Sequence, residues 1–476
     1  MKRKALLLTS LLVTSLILLD GCNILPFPSS SSSSSEHTSV STSSINKYTE
    51  YVNLVSANDI HGRVVTIDGD NGMDLLAGKI NDLEKQYGDF IKIANGDIFQ
   101  GKFESNILYG RPIVDCLNAM EFDAFVIGNH EFDWGLDKIA AYNDGDLSNG
   151  EAEFPFLACN IVYKNNQELL DWVEPYTILE NNGYKVGLIG AIGSTLTSSI
   201  NGNMVKDYEF LDSVSQVKKY AQEIRTKHDV DYVVLAIHDH TEDVLNQIGG
   251  FTGDSKINAI FTAHTHQKKN MVVGGNIPVL QGGGNNQSVS VIRLKGTTFT
   301  KTILDLNTST PDSKITTIVD SYVKGEIEEK GNEVIGFNLD YKNAGAMASI
   351  LANVMKEKFD ADVGITNKAR TSLDYGDILM KEMYEVFPFD NMIIKATISG
   401  KMLKSFVNYS SSMYYNHDFS TYGLVDDQIY TIAIIDYVYD NERNKAFFDS
   451  NPEIRVEQNV YMRDLMIDYV REVRTI

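Results

Sequence analysis

Phe90-Ile91-Lys92-Ile93-Ala94-Asn95-Gly96-Asp97 is a short apolar run that stops at a polar, glycine-containing corner. A run of this length, rich in Ile and Phe, reads as a buried strand. The same pattern recurs along the chain. Residues 52–56 run into Asn58-Asp59-Ile60-His61, and residues 124–127 into Gly128-Asn129-His130-Glu131-Phe132-Asp133. Residues 232–237 run into His238-Asp239-His240, and residues 259–262 lead to His264-Thr265-His266. Residues 186–191 form another strand-length run. Between the runs lie helical patterns over residues 74–87, 113–120 and 214–227. Strand and helix alternating in this way predict a layered α/β domain. Such folds place ligand groups at strand ends. Five ends bearing Asp, Asn and His are therefore expected to converge on one sheet edge.

Histidine usage sharpens the expectation. The chain has nine histidines, and His61, His130, His238, His240, His264 and His266 all fall in these segments. One Asp-x-His or His-x-His alone is more often a loop feature than a ligand pair; the ordered set carries the argument. Carboxylate oxygen and imidazole nitrogen suit Zn, Mn, Fe, Co or Ni, and no thiolate favours a closed zinc–sulfur site. The candidate ligands Asp59, His61, Asp97, Asn129, His238, His264 and His266 exceed the needs of one ion. A shared carboxylate would set two ions about 3.5–4 Å apart. Asp97 is the best bridge, because it follows the central strand and is framed by Gly96 and Gly101.

The chain of 476 residues is too long for one core, and about two to four domains are expected. Hydrophobic residues make up 43% and charged residues 22%, which excludes collagen, coiled coil and wholesale disorder. With 42 Lys+Arg against 64 Asp+Glu the formal charge is -22. That balance argues against nucleic acid polymers and anionic membrane surfaces as partners. It also repels small phosphate esters, so a phosphate site must supply its own positive charge. Two divalent ions held by Asp59 and Asp97 would do so.

Residues 1–21 read as a targeting segment. Lys2, Arg3 and Lys4 precede an apolar stretch over residues 6–19, too short for a comfortable membrane span. Leu19-Asp20-Gly21-Cys22 resembles the bacterial lipoprotein lipobox, which implies cleavage before Cys22 and lipidation of its sulfur. An ordinary secretory signal or an uncleaved anchor are the alternatives. Residues 22–47 are serine-rich and read as a flexible tether. The body would thus be lipid-anchored on the extracytoplasmic face of a bacterial cell membrane. Outside the cytoplasm Cys116 and Cys159 could pair, with buried free thiols as the alternative. Residues 312–330 read as one helix with Ile315, Ile318, Val319, Tyr322 and Val323 on one face, bridging two domains within residues 311–333.

Asp59-x-His61, Gly96-Asp97-x-x-x-Gly101, Gly128-Asn129-His130-Glu131-x-Asp133, His238 and His264-x-His266 resemble the calcineurin-like metallophosphoesterases. More narrowly they resemble the branch of 5'-nucleotidases and 2',3'-cyclic-nucleotide phosphodiesterases. The resemblance implies a four-layer αββα catalytic domain over residues 48–310 and a smaller α/β specificity domain over residues 334–476. It implies one ion on Asp59, His61, Asp97 and His266, and another on Asp97, Asn129, His238 and His264. A bridging water would attack phosphorus in line. His130 would stabilise the phosphoryl charge or protonate the leaving alkoxide, with Asp133 orienting it. Glu131 belongs to the signature without an evident role. His240 could compete for a metal, although a position nearby or on the surface is favoured.

In the second domain Arg370 resembles the arginine that ends a glycine-rich loop and clamps a phosphate or carboxylate, although Asn367-Lys368-Ala369 replaces the glycines. Pro388-Phe389-Asp390-Asn391 resembles a block whose aromatic ring stacks on a nucleobase, which implicates Phe389 and Asn391. Core packing and turn formation are their bland readings. Tyr437 would supply a second aromatic, but Asn441-Glu442-Arg443-Asn444 stands where the family has Gly-Gly-Asp. The implied substrate is a nucleoside monophosphate. Alternatives are another phosphoester, a UDP-sugar, a 2',3'-cyclic nucleotide or a thioester-like sulfur compound. A solute-binding lipoprotein is the remaining reading.

Overall fold

The computed structural model describes residues 50–67, 69–448 and 455–476. The targeting segment, Cys22 and the tether lie outside the described residues. Two six-stranded sheets build the first lobe. One runs in spatial order Thr298–Asp305, Ser288–Lys295, Val52–Ala57, Ile91–Asn95, Ala124–Val126 and Phe156–Leu157. The other runs Lys268–Val273, Ile277–Gly282, Ala259–Thr262, Tyr232–His238, Tyr184–Ile192 and Tyr176–Asn181. The chemistry-bearing strands Val52–Ala57, Ile91–Asn95 and Ala124–Val126 are parallel neighbours, as are Tyr232–His238 and Ala259–Thr262.

Side-chain alternation explains the layering. Val52 and Leu54 pack with Ile91, Val234 and Phe261 in a core between the sheets. Val55 and Ala57 point the other way, into a core shared with Leu76, Ile80 and Leu117 of helices Met73–Tyr87 and Arg111–Ala119. On the far side, Val217, Ile224, Leu245 and Ile248 of helices Ser213–Lys227 and Glu242–Gly249 cover the second sheet. A strand covered on both faces has no polar side to show, which is why these runs lack a polar alternation. The result is the four-layer αββα arrangement.

The link between lobes departs from the single helix expected over residues 312–330. Asp312 caps helix Ser313–Val323 by accepting from the Ile315 N–H at 3.0 Å, and Ile315, Val319 and Val323 are buried. Lys324 is then extended, and Gly325 adopts φ 98° and ψ -122° before a second helix, Glu326–Gly331. That backbone region is essentially reserved for glycine, so the apolar periodicity continued past a real break.

The second lobe has a five-stranded sheet ordered Met413–Tyr415, Val363–Asn367, Ile429–Ile435, Met392–Ser399 and Arg455–Tyr461. Helices Ala344–Lys358, Gly400–Tyr409 and Met462–Val473 contribute to its core, which also receives Phe103 from the first lobe. Among the described residues no helix is long and apolar enough to cross a membrane.

Candidate active site

Each donor stands where a strand stops. Five of them hold a left-handed backbone: Asp59 (φ 51°), His61 (52°), Asp97 (55°), His264 (82°) and His266 (57°). Such angles are uncommon for residues with a Cβ and cost energy, so surrounding contacts must impose them. The Asp59 and His61 N–H groups donate to the Gly96 and Asp97 carbonyls, each at 3.0 Å. The His264 N–H donates to the Asp59 carboxylate at 3.1 Å. The His130 N–H donates to Asp97 Oδ1 at 2.8 Å. Gly128 is needed for space, since a Cβ there would lie 2.5 Å from Asp97 N and Oδ1.

Glu131 gains a role that its sequence position did not reveal. Its carboxylate is fully buried and accepts from Asp97 N at 2.9 Å, Ile98 N at 2.9 Å and Gly128 N at 2.8 Å. It ties together the two loops that present Asp97 and Asn129. Burial, aided by Asp97, raises its carboxyl to about 6.

Two donor clusters result. Asp59, His61 and His266 form one, and Asp97, His238 and His264 form the other; within each, the facing ligand atoms lie within 4.8 Å of one another. Asn129 Oδ1 is 2.8 Å from His264 Nδ1. His238 Nε2 is 3.1 Å from Asp97 Oδ2, and His266 Nε2 is 3.5 Å from Asp59 Oδ1. His61 Nδ1 faces the Gln100 carbonyl, and His238 Nδ1 the Asn95 carbonyl, each at 3.2 Å. A carbonyl only accepts, so each Nδ1 carries a hydrogen and each Nε2 is turned to the cluster, where loss of its proton would free a lone pair for a cation. His61 Nε2 and His266 Nε2 stand 2.8 Å apart. Imidazole nitrogens and carboxylates converging in this way fit divalent first-row ions.

The electrostatics agree with cation binding. Burial pushes His238 down, but Asp97 and Asp59 outweigh it and raise it to about 10. Burial likewise pushes the Asp97 carboxyl up, yet His238 and His130 hold it well below the usual range. The field that retains a proton here would also attract a metal. Asp59 is raised to about 7 by burial, while burial lowers His264 and His266 to about 4, leaving neutral imidazoles.

His130 lies beside the clusters rather than within them. Its Nδ1 is 2.7 Å from Asp133 Oδ2. Burial would lower its pKa, but Asp133 and Asp97 prevail and raise it to about 9. His240 is partly exposed and stacks on His264 with ring centroids 5.4 Å apart. It belongs to neither cluster.

His130, Asp133, Asn129 and His264 form one wall of a cavity of about 450 Å³. The second lobe supplies the other wall, and Arg370, Phe389, Asn391 and Tyr437 all line it. Phe389 stacks on the His130 ring, with centroids 5.5 Å apart and planes 12° from parallel. Asn391 is buried, its carbonyl accepting from Met462 N at 2.8 Å. Ser199, Asn201 and Lys368 also line the cavity. Ser199 and Asn201 had no signal in the sequence, because their loop carries no titratable group. Cys116 and Cys159 are free, buried thiols in separate cores.

A cluster of this chemistry at the strand ends of an αββα domain is that of a metallophosphoesterase. Residues 53–268 match the family "Calcineurin-like phosphoesterase", and residues 323–446 match "5'-nucleotidase, C-terminal domain". The chain thus carries a calcineurin-like phosphoesterase domain followed by a 5'-nucleotidase C-terminal domain. Endonuclease YhcR of Bacillus subtilis (strain 168) is 27% identical over 435 residues, covering 83% of this chain and 34% of that protein. Cell wall protein Lmo0130 of Listeria monocytogenes is 25% identical over 390 residues, covering 68% of this chain and 49% of that protein. The chain thus spans half or less of these two relatives. The crystal structure of a 5'-nucleotidase precursor from Thermus thermophilus superimposes with a TM-score of 0.74 at 16% identity, covering 90% of this chain and 97% of that one. At that identity the likeness is one of fold.

Proposed function

We propose that the protein is a metal-dependent phosphoester hydrolase that releases phosphate from nucleoside monophosphates. One observation carries this reading. His264 of one donor cluster, its neighbour Asn129 and the His130–Asp133 pair line a cavity whose opposite wall holds Arg370, Phe389 and Tyr437, and His61 of the other cluster lines a second cavity that also reaches Arg370. Asp59, His61 and His266 would hold one divalent ion; His238, His264 and Asn129 would hold the other, with Asp97 shared. Ions bound there would supply Lewis acidity and an acidified water for in-line displacement.

The chain's own groups do the rest. His130, with Asp133 on Nδ1, keeps Nε2–H free to stabilise phosphoryl charge or to protonate the leaving oxygen. Arg370 offers a planar fork to a phosphoryl group. Phe389 and Tyr437 offer aromatic faces to a nucleobase. The name of the Bacillus relative points to a polymer instead, and the formal charge of -22 opposes that choice here. We also place the body on the outer face of a bacterial membrane, anchored through Cys22; Cys22→Ala should then release it from the membrane fraction.

Purified protein assayed with AMP and p-nitrophenyl phosphate, with Mn²⁺ and then EDTA, tests the activity. Release from AMP that EDTA abolishes supports the full reading. Release only from p-nitrophenyl phosphate, or only from UDP-sugars or cyclic nucleotides in a wider panel, moves the substrate and keeps the chemistry. No release from any ester with metal present would favour a solute-binding protein.

A further inference from the structure

Two cations line the cavity without an ion-pair partner among the described residues, Lys368 and Arg370. The acidic side chains that line the same cavity are already matched. Asp133 holds His130, and Asp390 pairs with Arg463. In a chain with a formal charge of -22, two uncompensated cations at one cavity point to an anionic ligand.

Their placement separates their tasks. Lys368 and Arg370 flank Ala369 in the loop after strand Val363–Asn367. Ala369 is buried in the second lobe's core, and the Arg370 N–H donates to the Val386 carbonyl at 2.9 Å. The loop is thus anchored between the two cations. Arg370 also lines a second cavity of about 250 Å³ together with His61, so it stands on the donor-cluster side. Its charge is felt at His61, His130 and His266. Lys368 lines only the larger cavity, with Asn367, Phe389 and Tyr437. One phosphoryl group at the donor clusters with Arg370 leaves Lys368 unmatched. A cavity of about 450 Å³ is within the range that holds small organic ligands.

We propose that Lys368 forms a subsite for a second phosphoryl group, so that the preferred nucleotide carries one phosphoryl group at the donor clusters and another beside the Lys368 ammonium. This deepens the phosphohydrolase reading and rests on it. A compact ammonium with three donors suits a phosphoryl oxygen in several orientations. The second group is either the inner phosphate of a nucleoside diphosphate or a phosphate elsewhere on the ribose.

The test compares kcat/KM for AMP, ADP and adenosine 3',5'-bisphosphate in the metal-loaded wild type, Lys368→Ala and Lys368→Arg. The wild type should favour one doubly phosphorylated substrate over AMP, and which one identifies the source of the second group. In Lys368→Ala that preference should fall on the order of tenfold, mainly through KM, and Lys368→Arg should restore most of it. A wild type that favours AMP over both, or a preference unchanged in Lys368→Ala, overturns the proposal. If no nucleotide is hydrolysed, the hydrolase reading is what has failed. Calorimetric titration of ADP and AMP into the same proteins then decides the subsite. Tighter ADP binding that Lys368→Ala removes supports it, and equal binding of the two overturns it.

Discussion

At the scale of single residues, His130 and Glu131 are neighbours with opposite duties. His130 faces the cavity, and Glu131 is buried behind the donors. Replacing His130 by Ala removes a proton donor but no donor atom of either cluster. Metal content measured by elemental analysis should stay at the wild-type level, while kcat falls by about 10²–10⁴. An unchanged kcat would end its assignment. Glu131→Gln keeps the shape but turns an amide N–H₂ toward backbone N–H groups that need an acceptor. Each unsatisfied buried donor costs about 1–3 kcal/mol, so urea unfolding should show a loss of that order. Metal affinity should drop with it, because the loops carrying Asp97 and Asn129 lose their common tie. The family signature displayed Glu131 in the sequence, but its partners are backbone groups, which a sequence pattern does not reveal.

At the scale of elements, strand ends and breaks decide what could be read in advance. The donor-bearing strands were legible because each is an apolar run cut off by a polar corner, and five such corners on parallel strands face one edge. A layered α/β domain followed from the same runs together with the helical periods between them, whereas the four-layer αββα order was implied only by the resemblance to the metallophosphoesterases. The linking helix is shorter than its periodicity implies because Ile315, Val319 and Val323 keep helical spacing up to a break made by one glycine. The walls of the cavity were half legible. Arg370, Phe389, Asn391 and Tyr437 sit in motif-like blocks, whereas Ser199 and Asn201 reach the cavity through loop geometry alone. Gly325 and Gly128 test two different reasons for a glycine. No atom would touch a Cβ at Gly325, so Gly325→Ala measures backbone strain alone and should cost about 1–3 kcal/mol in urea unfolding. Gly128 does not have a positive φ, and its Cβ would press on Asp97. Gly128→Ala should therefore lower activity through the metal site, seen as lost metal in elemental analysis.

For the whole molecule, the question is how the two lobes are held against each other. Asp436 of the second lobe is buried beside Asn201 of the first, and burial raises its carboxyl to about 6. A folded-state pKa above the usual 3.8 means that the folded protein binds the proton more tightly. The associated stability is present at low pH and is lost as pH rises from about 4 to about 6. Asp436→Asn should remove that slope and be more stable than the wild type near neutral pH by on the order of 2 kcal/mol. The gain should vanish near pH 4, as read by urea unfolding at each pH. A second contact between the lobes lies beside another cavity. Lys102 bridges Asp70 at 2.8 Å in its own lobe and Glu385 at 2.7 Å in the other. Gln100 Nε2 donates to the Pro388 carbonyl at 3.0 Å beside it. Glu385 precedes the Phe389 block, and Lys102 follows the Asp97 loop, so the pair sets the substrate wall against the donor clusters. A partly exposed pair contributes about 0.2–1 kcal/mol, which corresponds to a change of roughly 1.4- to fivefold. Glu385→Gln should therefore lower kcat/KM for AMP by that factor with metal content unchanged. Salt screens partly exposed pairs over about 3 Å at 1 M, so the difference from wild type should close at high ionic strength. A defect that persists in 1 M NaCl would show that Glu385 acts through packing rather than through charge.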